Sequence, residues 1–308
     1  MRSWDRAGPD RRGRGRTLRL VVPVAMLVLV AGAATACGDG GGTEVTLTEL
    51  GQRLPERVRE RGRLVVGSDI AYAPMEFFRE GTEEAQGVDV ELCEAIAVQF
   101  GEGFRCEFRN AVFDTLITGL QAGRFDLIMS SMTDTTERQR EVDFVDYFLA
   151  GSSILVRKGN PERVASLDDL CGRTVALQRG TTNEELARDQ VARCAAQGRQ
   201  PLTVLPFDTD PEAQQQVQVG RAVADIADFP VAAYAARTSG GGNDFEVVGE
   251  QIDPAPYGIA VSKEQTELRD AVQAALRAVI ADGTYDRILD TWGVALGALR
   301  TAEINGAS

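Results

Sequence analysis

Apolar residues recur along this chain in two rhythms, and the rhythms alternate. Arg63 to Gly67, Phe125 to Met129, Thr174 to Leu177, Thr203 to Leu205, Ala224 to Ala227 and Phe245 to Val248 are brief apolar runs that predict strands. Between them the period lengthens. From Asp89 to Phe100, the residues Val90, Leu92, Ile96, Ala97 and Phe100 can share one buried helical side. Asp114 is placed to open a helix through Leu120, which Gly123 would end. Further helices are predicted near residues 183–196, 211–219 and 230–236, then from Glu264 to about Ala281. Asp282-Gly283 breaks the last of these before a short helix containing Trp292. Strands alternating with helices are the signature of the α/β class.

The first stretch obeys neither rhythm. Arg2 to Arg19 is basic, Leu20 to Ala34 is a continuous apolar run, and Ala34-Thr35-Ala36-Cys37 closes it with small residues. That order predicts a secretory signal over residues 1–36, since the run is short of the roughly 20 residues a spanning helix needs. The cysteine directly after the small residues resembles a lipobox and makes Cys37 the expected lipidated N-terminus, although Ala34 stands where such boxes usually carry Leu. The alternative is ordinary cleavage with Cys37 free or paired. Gly38 to Thr43 is Gly-rich, so residues 37–53 read as a flexible linker holding a folded body off a membrane surface.

Composition narrows the function. The 308 residues suffice for two domains, and with 44% hydrophobic and 26% charged residues the body should be globular. The chain has no histidine, which excludes Ser-His-Asp and Cys-His catalysis and zinc sites built on His. No metal and no cofactor are expected. The net charge is −13, and because residues 1–36 hold seven Arg against two Asp, the remainder carries −18. An acidic body without a basic patch argues against nucleic acid as a partner.

Four cysteines follow Cys37. In an exported chain they imply two disulfides with three possible connectivities. Pairing Cys93 with Cys106 and Cys171 with Cys194 keeps each bridge local and joins a helix to a neighbouring strand or loop. Buried free thiols are the alternative.

Two helix starts carry candidate chemistry. In Ser130-Ser131-Met132-Thr133-Asp134-Thr135-Thr136-Glu137-Arg138, Asp134 and Glu137 have capping-box spacing, and Arg138 falls in the first turn. A cation is disfavoured there by the helix dipole unless a carboxylate sits at that end for it to clasp. A surface ion pair with Glu141 or Asp143 is the plain alternative. In Gly180-Thr181-Thr182-Asn183-Glu184-Glu185, Thr182 and Glu185 have the same spacing after a predicted strand, and such a turn binds anions through its N–H groups. Taken alone it is equally a simple helix cap.

The chain resembles the extracellular solute-binding proteins of family 3, the polar amino acid-binding components of ABC importers. The resemblance runs from about Arg63 to Trp292. It rests on Gly67-Ser68-Asp69-Ile70-Ala71-Tyr72-Ala73-Pro74-Met75-Glu76-Phe77, Gly87 to Leu92, Phe113 to Ile117, Gly123 to Asp126, Thr133 to Arg138, Gln178 to Thr182, Gly220-Arg221, Tyr257 to Val261 and Asp282 to Tyr285, in that order. It implies a two-lobed periplasmic-binding-protein-like fold (type II), with lobe 1 over residues 54–150 plus 257–308 and lobe 2 over 151–256. It implies that Arg138 clasps a ligand carboxylate with Thr133 and the N–H groups of Thr181 and Thr182. Asp228 would accept the ammonium, Tyr72 and Phe113 would pack on the side chain, and Asp69, Ser130 and Ser131 would line its far end. The family's usual Asp after Gly220 is here Val223, and Asp225 is a rival to Asp228. Ligands bind beyond strand ends in such sheets, which favours Asp228. Glu76 either reaches a cationic ligand group or faces solvent.

The resemblance therefore implies a monomeric, lipid-anchored extracytoplasmic binding protein, not an enzyme, with a free amino acid and ABC permease subunits as partners. An exported small-carboxylate dehydratase on the same scaffold is the alternative. Beyond the ammonium contact, the sequence shows no paired carboxylates to serve it.

Overall fold

A computed structural model describes residues 46–307, so the signal segment and Cys37 lie outside the described residues. In chain order the elements are β1 (Thr46–Leu47), α1 (Glu56–Arg61), β2 (Arg63–Ser68), β3 (Ala71–Tyr72), β4 (Glu76–Phe78), β5 (Ala85–Gln86), α2 (Val88–Phe100), β6 (Gly101–Glu102), β7 (Arg105–Asn110) and α3 (Leu116–Gln121). They continue with β8 (Leu127–Ile128), β9 (Val142–Arg157), β10 (Thr174–Gln178), α4 (Thr182–Ala196), β11 (Thr203–Phe207), α5 (Asp210–Gln218), β12 (Ala224–Asp228), α6 (Phe229–Thr238), β13 (Phe245–Ser262), α7 (Thr266–Ala281) and α8 (Thr284–Trp292).

One eight-stranded sheet runs in the order β11-β10-β12-β9-β13-β8-β2-β7. Its ends are parallel and its centre is the antiparallel pair β9–β13, from Phe245 opposite Arg157 to Ser262 opposite Val142. The register of that pair slips between Val248 and Ile252, between Ile252 and Ala255, and between Tyr257 and Gly258. Pro254 and Pro256 sit in this stretch and lack the N–H a regular ladder needs. The sheet is thereby divided into two halves that share two continuous strands, and each half has its own core. One core gathers Leu92, Phe100, Tyr147, Phe148, Tyr257 and Tyr285, with a second layer around Leu116 and Phe144. The other gathers Ile154, Val175, Leu177, Cys194 and Ile226, with a layer around Leu155, Ala176 and Phe245. The fold is α/β with two lobes.

Local chemistry explains the helices. Gly87 precedes α2 at φ 128°, and a Cβ there would meet the Met75 carbonyl oxygen at 2.2 Å. The close approach seats α2 on the short β3-β4-β5 sheet, with Val88, Leu92, Cys93, Ile96, Ala97 and Phe100 turned inward. α5 opens with a Thr209–Glu212 capping box and a proline in its first turn.

Several expectations are corrected. The 16-residue β9 has no predicted counterpart, because its buried run lacks period-2 alternation. β13 continues far past Val248, through prolines that read as a strand end. Asp114 caps nothing: a 3-10 turn, Phe113–Thr115, precedes α3. Only Leu127–Ile128 of the run from Phe125 to Met129 joins the ladder. The stretch read as linker is folded from residue 46, where β1 pairs with β6 and Thr48 donates to the Gln99 carbonyl at 2.7 Å. The favoured cysteine pairs are the ones present: Cys93–Cys106 ties α2 to β7 and Cys171–Cys194 ties a turn to α4, at Cα separations of 6.2 and 5.6 Å.

Candidate functional site

The side chains read from the sequence, Asp69, Tyr72, Phe113, Ser130, Ser131, Thr133, Arg138, Thr181, Thr182 and Asp228, all line one cleft. Glu76, Gln178 and Asn183 line it too. The lining comes from the ends of β2, β8, β10 and β12 and the turns that follow them. Those are the positions where parallel sheets present side chains and helix N-termini to a ligand.

The anion-binding end is built from two turns. Arg138 lies in a 3-10 turn, Arg138–Arg140, not in an α-helix. The expected box between Asp134 and Glu137 does not form, because Asp134 is buried and accepts from Gln139 Nε2 (2.8 Å) and the Ala307 N–H (3.2 Å). Arg138 donates from Nη1 to the Thr133 carbonyl (2.9 Å) and from Nη2 to the Gly180 carbonyl (3.0 Å), and its guanidinium lies 5.5 Å from the Phe113 ring centre. It has no ion pair with Glu141 or Asp143, and Asp143 is taken by Lys263 and Arg269. Burial draws its pKa down while Glu185 and Asp228 oppose that pull. Arginine remains charged throughout the working range.

Across the cleft, α4 begins one residue earlier than the sequence spacing implies. Thr181, not Thr182, is the N-cap: its hydroxyl oxygen accepts from the Glu184 N–H at 3.2 Å, and Glu184 Oε2 accepts from the Gly180 N–H at 2.8 Å. The Thr182 hydroxyl is thereby free to approach that of Thr133, 3.4 Å away. With the Glu184 N–H taken by Thr181, the N–H groups of Thr182 and Asn183 remain at the N-terminus of this 15-residue helix, a position suited to an anion.

Asp228 ends β12 on the other wall. Its oxygens accept from Asn183 Nδ2 (3.0 Å) and the Tyr257 hydroxyl (2.6 Å), and its N–H donates to the Tyr72 hydroxyl (3.1 Å). Burial raises its pKa, and those hydrogen bonds oppose the rise. Asp225 does not line the cleft. It is fully buried inside β12 beside Asp210, and neither of its carboxyl oxygens has a hydrogen-bond donor. Burial and Asp210 hold its pKa well above the usual range, so the pair keeps a proton.

The far end is acidic. Glu76 is 1% exposed, so the solvent-facing alternative for it fails. The Ser130 and Ser131 hydroxyls donate to its two oxygens at 3.3 and 3.0 Å. Asp89 lies behind it, accepting from the Ser131 N–H (3.1 Å) and the Tyr147 hydroxyl (2.7 Å). Asp69 accepts from Gln178 Nε2, and burial raises its pKa to about 7. This cluster overturns the expectation of no paired carboxylates, because the turn from β3 into β4 brings Glu76 over Asp89. Sequence reasoning also passed over Gln178, Asn183 and Tyr257 as site residues. Gln178 ends a strand, Asn183 sits in the first turn of α4, and both positions are readable as cleft-facing once those elements are placed. Among the described residues no group of His, Cys, Asp or Glu is arranged to hold a metal ion, and no helix is long and apolar enough to cross a membrane.

Comparison with known proteins places this geometry. Residues 64–295 match the bacterial extracellular solute-binding proteins, family 3. The arginine-binding protein ArgT of Corynebacterium glutamicum is 35% identical over 83% of this chain and 83% of its own length. Among solved structures, an ancestral arginine-binding protein bound to arginine is 36% identical at a TM-score of 0.68, covering 75% of this chain and 98% of that one. The ancestral amino acid-binding protein AncCDT-1, a precursor of cyclohexadienyl dehydratase, is 35% identical at the same TM-score, covering 77% of this chain and 98% of that one.

Proposed function

The chain belongs to the bacterial extracellular solute-binding proteins of family 3, and on that premise we propose that the amino acid it captures carries a cationic side chain, with arginine the best fit. The chain is the extracytoplasmic substrate-binding component of an ABC importer, and it binds a polar amino acid between its two lobes. The observation that carries the finer reading is the far end of the cleft. Asp69 and Glu76 line it, Asp89 backs it, and their hydrogen bonds come from serine, tyrosine, glutamine and backbone groups, with no Lys or Arg among their partners in the described residues. Buried carboxyl groups without a cation are costly. A guanidinium or ammonium on the ligand supplies what the protein withholds. The relative named for arginine supports the same choice.

In this reading Arg138 clasps the α-carboxylate bidentately, with Thr133 and the first-turn N–H groups of Thr181 and Thr182. Asp228 holds the α-ammonium. Tyr72 and Phe113 flank the aliphatic stem, and Ser130, Ser131, Asp69 and Glu76 meet the distal cation. We place lobe 1 at residues 54–150 plus 257–308 and lobe 2 at 151–256. Arg138 is then on one lobe and Asp228, Thr181 and Thr182 are on the other. A zwitterion that bridges them stabilises the closed state over the open one, which gives the permease a form to recognise.

Calorimetric titration against the twenty amino acids tests the side-chain assignment. Arginine should bind most tightly and glutamine, neutral and shorter, about a hundredfold more weakly. Glutamine or glutamate as the tightest ligand would refute it.

The dehydratase alternative gains one observation: a carboxyl group kept neutral in a cleft is what a general acid requires. A second carboxylate on such a substrate would, however, meet three acidic side chains at the far end, so binding without turnover is the reading we adopt. We further propose a monomer, exported through residues 1–36 and anchored through a lipidated Cys37. Intact mass of the membrane-extracted protein should show Cys37 as the N-terminal residue with a diacylglyceryl adduct. An unmodified Cys37, or cleavage elsewhere, removes the anchor.

A further inference from the structure

We propose that Glu76 and Asp89 share one proton in the ligand-free protein, and that the cationic end of the incoming amino acid expels it, so that capture of the cation is coupled to release of a proton. This rests on the cationic-ligand reading above.

The geometry carries it. Ser131 joins the Glu76 and Asp89 carboxyl groups, its hydroxyl donating to Glu76 (3.0 Å) and its N–H to Asp89 (3.1 Å), and both residues are buried to within 1% of full coverage. Two carboxyl groups buried on one serine with no cation beside them do not both ionise, so the pair keeps a proton. The surrounding donors say which member holds it. Asp89 accepts from the Ser131 N–H, a fixed donor, and from the Tyr147 hydroxyl on β9, which reaches both of its oxygens, an arrangement suited to the ionised form. Glu76 receives only the two serine hydroxyls, and hydroxyls can turn to accept as readily as donate. The proton therefore rests on Glu76, the member of the pair that lines the cleft.

Nothing else near the pair neutralises it. From the turn after β2 it faces Asp69, from α2 Asp89, from the turn after β8 Ser130 and Ser131, and from β9 Tyr147. Gln178 on β10 donates to Asp69 and to the Asp208 carbonyl, not to the pair. Arg138 is held at the opposite end by the Thr133 and Gly180 carbonyls. Burial and Asp89 both hold the Glu76 pKa well above the usual carboxylate range, and burial raises Asp89 to about 6. A guanidinium arriving at Glu76 reverses the balance. The Glu76 O–H bond breaks, the proton leaves to solvent, and the carboxylate left behind pairs with the cation.

The sign follows. Glu76 has a raised pKa in the free protein and a lowered one in the complex, so protons are lost on binding. Affinity for arginine then rises with pH, by about tenfold per unit, while the free pair keeps its proton, and levels off where the pair loses it. Glutamine brings no cation and shows no such slope.

The test is arginine calorimetry at pH 7 in buffers of widely different ionisation heat. The observed heat should vary linearly with that heat, with a slope of about one proton released. Glu76→Gln mimics the protonated form and should bind arginine more weakly with no release. Asp89→Asn keeps Glu76 in the cleft as a lone carboxylate, and should retain binding with the release lost. Release absent from the unaltered protein, or persisting in Asp89→Asn, overturns the proposal. If arginine does not bind at all, the cationic-ligand reading falls and takes this one with it.

Discussion

Replacing Arg138 with alanine is expected to weaken amino acid binding by about a thousandfold, near 4 kcal/mol, while the ligand-free protein unfolds at nearly the same temperature. The size follows from what the guanidinium does. It is half-buried, lies against Phe113, and ties the Thr133 carbonyl on one wall to the Gly180 carbonyl on the other. A carboxylate seated there replaces carbonyl acceptors with an anion and gains two parallel charge-assisted bonds. Alanine removes both and leaves the ligand anion with only the α4 N-terminus and hydroxyls. Lysine keeps the charge but not the fork, so Arg138→Lys should lose about tenfold to a hundredfold. Stability changes little because Arg138 has no ion-pair partner among the described residues and its two bonds are to carbonyls that water can serve. Calorimetry with arginine and a thermal melt of each variant without ligand check both halves. Affinity retained within about fivefold in Arg138→Ala would remove the carboxylate clasp from this residue.

Arg138 was legible in the sequence because a charge in the wrong half of a helix start is a local anomaly. The local reason was partly wrong, since the segment is a 3-10 turn and Asp134 faces inward toward Gln139 and Ala307. Arg138 nevertheless lines the cleft, because the anomaly concerned charge, not helix type. Helices were legible generally, since 3.6-residue periodicity survives in α2, α4 and α7. Strands at the sheet centre were not. β9 is buried on both faces and shows no alternation, and β13 carries prolines tolerated only because its register slips there. Glu76 stayed ambiguous for a different reason. Its burial depends on α2 packing against the β3-β4-β5 sheet, which puts Asp89 beneath it, and on Ser130 and Ser131 arriving from a distant turn. Contacts across more than 50 residues leave no mark in a single sequence.

The choice between Asp228 and Asp225 turns on the same strand, and it yields the second large effect. Asp228→Asn should weaken arginine binding by more than a hundredfold, about 3 kcal/mol, because it removes the anion facing the ligand ammonium while keeping the side chain's shape. Its oxygens accept from Asn183 and Tyr257 and stand at the open end of β12. Asp225→Asn should change affinity by no more than about threefold, since Asp225 lies inside the strand, outside the cleft lining, against Asp210. It should instead change stability, and the sign can be worked out. Asp225 keeps a proton in the folded protein and ionises near the ordinary carboxylate range when unfolded. Unfolding therefore releases a proton, and as pH rises above that range this release increasingly favours the unfolded chain. Asparagine cannot ionise, so Asp225→Asn should melt at a higher temperature than the unaltered protein at pH 7, with the gap closing toward pH 4. A binding loss larger in Asp225→Asn than in Asp228→Asn would move the ammonium site three residues deeper into β12 and detach it from Tyr257, Tyr72 and Asn183 together. Those three side chains already converge on Asp228, and they hold its carboxylate at the end of β12 where the cleft opens.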